Sequence, residues 1–270
     1  MRQYRLITDQ PTTGRRNMAI DEAIMNAVIA GSSPPTIRFY AWSPACLSLG
    51  YGQRAADADI ERLQKRGWDV VRRATGGRAI LHAHEMTYSV TVPDSHPLAE
   101  GGIIESYRRI SEALRRGLVA LGLRTGAERK KERLRDTGPV CFEVPSHYEI
   151  TIGDGRKLIG SAQLRRRGGL LQHGTLPLHG DVTDICDGLQ FASAAARDMA
   201  KLSVRQRAAT LQDALGVIVR WEDAVTAMTD AFAEIFDADL TPADLSGAEL
   251  AEAETLAMQV YGAESWTFRR

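Results

Sequence analysis

The stretch Val70 to Val92, VVRRATGGRAILHAHEMTYSVTV, decides how the chain is read. A short β-branched run, Val70-Val71, leads into Arg72 and Arg73. Thr75-Gly76-Gly77 follows, and then a second extended run through Ala79, Ile80 and Leu81. Adjacent glycines between two strand-like runs mark a place where backbone turns tightly or approaches a ligand closely, since neither residue carries a Cβ. Arginines beside such a loop can hold a carboxylate, a phosphate or an acyl carbonyl. The simpler reading is a hairpin with a charged rim. Met86 to Val92 alternates apolar and polar residues, the pattern of a strand.

Outward from this centre, Asn17 to Ile29 has helical periodicity and meets a breaker at Gly31 and Ser32-Ser33-Pro34-Pro35. Asp21 and Glu22 read as an exposed face near its N-terminus, with a site pair as the alternative. Thr36 to Trp42 and Cys46 to Tyr51 read as strands, with Cys46 as a core residue, and Ala56 to Lys65 as a short helix. Ile103 to Leu121 is the clearest helix, with Ile103, Tyr107, Ile110, Leu114 and Leu121 as its apolar stripe. Gly153-Asp154-Gly155 is a hairpin signal joining His147–Ile152 to Lys157–Leu164, and Leu170 to Leu178 is a further strand. Beyond Ala192 the chain turns Ala-rich and helical. Val217 to Trp221 reads as a last short strand; Glu222–Phe236 and Gly247–Tyr261 read as helices separated by Thr241-Pro242. The expected organisation is a single domain over 1–270, with a core at about 30–215 and a helical segment at about 216–270.

The 270 residues allow a sizeable core. Lys+Arg and Asp+Glu both number 34, a balance that argues against a generic nucleic-acid binder. No apolar run reaches the length needed to span a bilayer, and no apolar h-region follows the basic start MRQYRLIT. Cys46, Cys141 and Cys186 are far apart and odd in number, so they suggest neither a zinc site nor a disulfide framework. A cytoplasmic location is expected. Arg124 to Asp136 is a basic run, and Arg165-Arg166-Arg167 a second cluster. Both read as solvated segments, with a docking surface for an acidic partner as the alternative.

Several residue groups could carry chemistry. Cys141 follows Gly138-Pro139 in a loop-like setting, where a thiol is reactive if a neighbour lowers its pKa. Lys157, just past the hairpin turn, or His147 could do so, and acyl transfer through a thioester would follow. Lys157 could equally be an ordinary exposed hairpin lysine. Gly160-Ser161-Ala162 on the same run are small enough to let backbone lie against a ligand. His82, His84 and Glu85 resemble metal ligands, but a third distinct ligand is missing, so no metal is expected. His173 is either a site histidine or a satisfied core residue. No phosphate-binding or dinucleotide fingerprint is present, nor a G-x-S-x-G elbow.

These motifs in this order resemble the superfamily of lipoate–protein ligases, octanoyltransferases and biotin ligases. The carrying residues are Arg72 to His82, Glu85-Met86-Thr87-Tyr88-Ser89, Arg156 to Gln163 and Leu171-Gln172-His173-Gly174-Thr175. Within it the chain is similar to the cysteine-dependent octanoyltransferases. Arg78 stands where ligases usually show a third glycine. His82-Ala83-His84-Glu85 replaces their His-Asp pattern, and the Cys141–Glu149 segment matches the acyl-thioester cysteine. The resemblance implies an α+β fold, a mixed β-sheet flanked by helices. It implies Cys141 as nucleophile and Lys157 as the group that lowers its pKa and polarises the acyl carbonyl. Arg73, Thr75, Gly76, Gly77, Arg78 and His82 would line the acyl and pantetheine tunnel; Gly160, Ser161, Ala162, Gln163, His173 and Gly174 would close it. Leu81 and Tyr88 would flank the acyl chain. The implied donor is octanoyl-acyl carrier protein and the implied acceptor a lipoyl-domain protein such as glycine cleavage H protein, with no ATP or other cofactor. An ATP-dependent lipoate ligase, an amidotransferase between carrier domains and a non-catalytic acyl binder are the alternatives.

Overall fold

A computed structural model describes residues 1–123, 150–166 and 168–270. Its central strand is β6 (Glu85–Pro93). Met86, Tyr88, Val90 and Val92 enter one apolar core from this strand, while Glu85, Thr87, Ser89 and Thr91 are buried on its other face. An alternating strand normally turns its polar side to water. Here both sides are covered, so each buried polar group needs a partner.

Six strands join β6: β1 (Arg2–Thr8), β2 (Thr36–Tyr40), β7 (Ile150–Thr151), β8 (Lys157–Arg166), β9 (Gly169–Pro177) and β10 (Ala238–Pro242). Their order is β10-β1-β2-β6-β9-β8-β7. β1 runs parallel to β10 and β2, and the pairings from β2 to β7 are antiparallel. Helices flank this mixed sheet. On the apolar side lie α3 (Gly102–Ala120) and α6 (Trp221–Phe236), sharing one core with the sheet. On the polar side lies α1 (Gly14–Ile29), backed by α7 (Gly247–Gln259).

The opening stretch does not fold as a hairpin. β4 (Asp69–Arg72) and β5 (Ile80–His82) both pair with β3 (Cys46–Leu49), β4 in parallel and β5 antiparallel. The glycine loop therefore crosses the end of β3 in a three-stranded sheet ordered β4-β3-β5. Gly50, just past β3, has no room for a side chain: a Cβ there would overlap the carbonyl of Gly77, which itself has φ +93°.

Other expectations are corrected. Residues 217–220 form no strand, and Trp221 opens α6; the last strand is β10, which includes Thr241-Pro242. Proline is tolerated there because β10 is an edge strand. Ile103 is 58% exposed, and the buried face of α3 runs through Ser106, Ile110, Ala113, Leu114 and Gly117. Residues 55–57 form a 3-10 turn before a short helix, α2 (Ile60–Lys65). The Arg124–Asp136 run, Cys141, His147 and Arg167 lie outside the described residues. No described helix is long and apolar enough to cross a membrane.

Candidate active site

A narrow pocket lies between the polar face of the large sheet and the small sheet. Tyr40, Thr87, Gly160, Ala162 and His173 to Thr175 line it from the large sheet, and Ser48, Ile80 and His82 from the small one. Met18 of α1, Trp42 and Arg73 complete the described wall. Bare backbone matters at Gly174, where a Cβ would come 2.6 Å from Ser161 Oγ and 2.7 Å from the Gly160 carbonyl oxygen.

Arg73 braces the glycine loop. Its Nη1 donates to the Ser48 carbonyl (2.8 Å) and Oγ (3.0 Å), and its Nη2 to the carbonyls of Gly76 (2.9 Å) and Arg78 (2.6 Å). Arg72 is also structural, donating to the carbonyls of Gly50, Gln53 and Thr267. Thr75 is buried, whereas Gly76 and Gly77 are exposed and Arg78 is half-buried.

His82 stacks on Trp42 with ring centroids 3.8 Å apart. Its Nε2 lies 2.8 Å from Ser48 Oγ, and its Nδ1 lies 3.7 Å from Glu85 Oε1. Since Arg73 already donates to Ser48 Oγ, the serine proton is available to Nε2, leaving the imidazole proton on Nδ1, toward the carboxylate. Burial lowers the His82 pKa and keeps the ring neutral. Glu85 in turn accepts from Thr87 Oγ1, at 2.7 and 2.8 Å, and from Thr175 Oγ1. Trp42 Nε1 donates to Thr87 Oγ1 at 2.8 Å. His84 leaves this cluster: β5 ends at His82, and His84 has φ +51° and stacks on His179 instead. Among the described residues no three His, Cys, Asp or Glu side chains are grouped to hold a metal.

Asp21 was expected on an exposed face, yet it is buried at the centre of the polar layer. Its Oδ1 accepts from Arg38 Nη1 (2.9 Å) and Ser89 Oγ (3.0 Å), and its Oδ2 from the Tyr40 hydroxyl (2.8 Å). Burial by itself would raise the carboxyl pKa, but hydrogen bonding to His173 and the charge of Arg38 outweigh it, and the pKa falls. The signal was present in the sequence: Met18, Asp21 and Met25 share one helical face. Glu22 is bound by Arg166 and by the Tyr261 hydroxyl.

The run Gly160 to Gln163 splits across β8. Gly160 and Ala162 line the pocket, while Ser161 bonds the Tyr88 hydroxyl and Gln163 bonds Ser106 and Gln172 on the α3 side. Tyr88 lies in that opposite core, and Leu81 packs in the cluster behind the small sheet, so neither lines the pocket. Ile80 and His82 occupy the inward positions of β5. Lys157 is buried rather than exposed, and its carbonyl accepts from Ala209 N at 2.9 Å; it is not among the described lining residues. Cys46 and Cys186 are buried in apolar clusters, and burial, with Asp69 nearby, pushes the Cys46 thiol well up. A thiol shifted in this direction, as at Cys46, is not an activated nucleophile.

A mixed seven-stranded sheet and a second small sheet thus face each other across the pocket, with Arg73 bridging from the pocket wall to the glycine loop. The model of the lipoyl protein ligase A/B catalytic domain matches residues 13–233, and the chain belongs to that family. Within it the chain falls in the LipM branch: it is 42% identical to octanoyltransferase LipM of Kyrpidia tusciae and 39% identical to that of Brevibacillus brevis, in each case over 100% of both chains. Among solved structures it is similar to the bi-partite lipoate protein ligase of Thermoplasma acidophilum, with TM-score 0.83 at 26% identity over 99% of this chain and 97% of that one. It is also similar to a lipoate-protein ligase A bound with ATP, with TM-score 0.80 at 25% identity over 99% of each.

Proposed function

We propose that the chain is an octanoyltransferase of lipoate biosynthesis, moving an octanoyl group from acyl carrier protein to a lysine of a lipoyl domain such as that of glycine cleavage H protein. The full-length relationship to proteins named octanoyltransferase carries this reading. The narrow pocket between the sheets supports it, because an acyl chain needs a shielded slot walled by small or apolar groups such as Gly160, Ala162, Ile80 and Met18. Cys141 takes the octanoyl group from the carrier thioester. Lys157 favours the thiolate electrostatically and polarises the acyl carbonyl. Arg73 holds the loop Thr75–Arg78 in place, and His82, His173 and Gly174 shape the pocket.

A thioester donor is already activated, so the reaction proceeds without nucleotide. The ligase neighbours are more distant in sequence, and the His82-Ala83-His84-Glu85 text departs from the ligase pattern. The segment from 216 onward is read as part of the same catalytic domain, a reading supported by the pairing of β10 with β1 and the packing of α7 on α1.

The test supplies a lipoyl domain with either octanoyl-acyl carrier protein alone or octanoic acid plus ATP. Modification with the first supports the transferase; modification only with the second makes the protein a ligase.

A further inference from the structure

A second cavity continues the pocket along the same face of β8 and β9. Ala162 and His173, paired across these strands, border the pocket, and the next pair on that face, Leu164 and Leu171, lines the second cavity. Two residues of strand carry it about 7 Å further. Helix α1 follows the same course. Met18 borders both cavities, while Asp21, Glu22 and Met25, on the following turns of the same helical face, line only the second. Among the described residues, Met18 and His173 are the two that both linings share, so they form the partition between the cavities.

The two halves of this partition differ in freedom. His173 is fixed at both ring nitrogens, with Nδ1 3.3 Å from Asp21 Oδ2 and Nε2 2.7 Å from Thr75 Oγ1. Asp21 is itself held by Arg38, Tyr40 and Ser89. Met18 can form no comparable anchor, because a thioether is only a weak acceptor and the side chain turns about three bonds. The polar groups beyond the partition are satisfied too: Glu22 accepts from Arg166 and from the Tyr261 hydroxyl. What the second cavity offers an incoming chain is therefore the apolar sides of Met25, Leu164 and Leu171. We propose that Met18 is a specificity-determining residue, the stop that ends the acyl pocket and sets the chain length transferred. The inference rests on the octanoyltransferase reading. Removal of Cγ, Sδ and Cε from Met18 joins the two cavities, and a longer acyl chain then buries its end in the second one. Each further buried methylene favours the longer chain about fourfold.

The test is a competition. A lipoyl domain is offered octanoyl- and decanoyl-acyl carrier protein at equal concentration in one vessel, and mass spectrometry reads the ratio of the two products. That ratio does not depend on how much of a variant is folded. Wild type is expected to favour octanoyl. Met18→Ala is expected to raise the decanoyl-to-octanoyl ratio about tenfold, and Met18→Val to raise it by less. Met25→Ala, which enlarges only the second cavity, is expected to keep the wild-type ratio. A wild-type ratio in Met18→Ala overturns the stop. So does an equal shift in Met25→Ala, which would mark a general loosening of this face of α1, or a wild type that uses both donors equally. Wild-type protein that modifies the lipoyl domain from neither donor overturns the octanoyltransferase reading itself, and the stop with it.

Discussion

The Gly77 carbonyl oxygen fills the space that a Cβ on Gly50 would need. The glycine loop is thereby seated against the end of β3, with no side chain between them. Gly50→Ala is expected to displace residues 75–78, costing about 1–3 kcal/mol of stability and at least about tenfold in transfer rate. Thermal unfolding together with a transfer assay checks this. An alanine variant with wild-type rate and stability would show that the loop does not need this seat.

Arg73 joins the two sides of that loop through four acceptors on Ser48, Gly76 and Arg78. A lysine ammonium cannot span them, because its donors radiate from one point. Arg73→Lys is expected to lose about 1–3 kcal/mol of stability and to speed amide exchange in residues 75–78. Hydrogen-exchange mass spectrometry reads both the loop and the remaining fold. Unchanged exchange in the loop would contradict the bracing role.

The Arg5–Glu249 pair ties β1 to the start of α7, with contacts of 2.7 and 2.5 Å. Burial acts to raise the Glu249 pKa, but Arg5, the Ser246 amide and the Ser33 hydroxyl hold it down to about 2, against an ordinary 4.5. A depressed carboxyl pKa stabilises the fold above its unfolded value and loses that contribution as pH falls toward the folded one. The contribution is on the order of 3 kcal/mol at neutral pH. Glu249→Gln is expected to be less stable at pH 7 and to converge on wild type between about pH 4.5 and 2. Urea melts across that window measure it; parallel curves for the two proteins would refute it.

Gly174→Ala places a methyl within 2.7 Å of the Gly160 carbonyl and of Tyr88 Cε1. The Gly160 oxygen is backbone and cannot rotate away, so β8 and β9 must separate locally. A loss of about 1–3 kcal/mol is expected, read by urea or thermal unfolding. Stability equal to wild type would mean that the strands have slack here.

Much of this fold was legible in the sequence because its signals are local. Gly31, Gly122 and Gly155 sit where positive φ ends a helix or turns a hairpin. What was missed depends on distant partners. β1 reads as an unremarkable basic start, and becomes a strand because β2 and β10 lie on either side of it. Thr241-Pro242 looks like a separator and is an edge strand for the same reason. In the site, the glycine loop, His82 and His173 stand out by motif. Asp21 was read as surface because a lone acid on a helix usually is; only Arg38, 17 residues away, and His173, 152 residues away, make its burial possible. Ser161 and Gln163 were grouped with Gly160 and Ala162 because they adjoin in sequence, yet alternation along β8 sends them to the other face.

Transfer through an acyl-enzyme on Cys141 without nucleotide is tested by the intact mass of the protein after incubation with octanoyl-acyl carrier protein in the absence of ATP, for wild type and Cys141→Ala. A hydroxylamine-sensitive octanoyl adduct on wild type alone is the predicted result. An unmodified wild type, or an adduct that persists in Cys141→Ala, would contradict it.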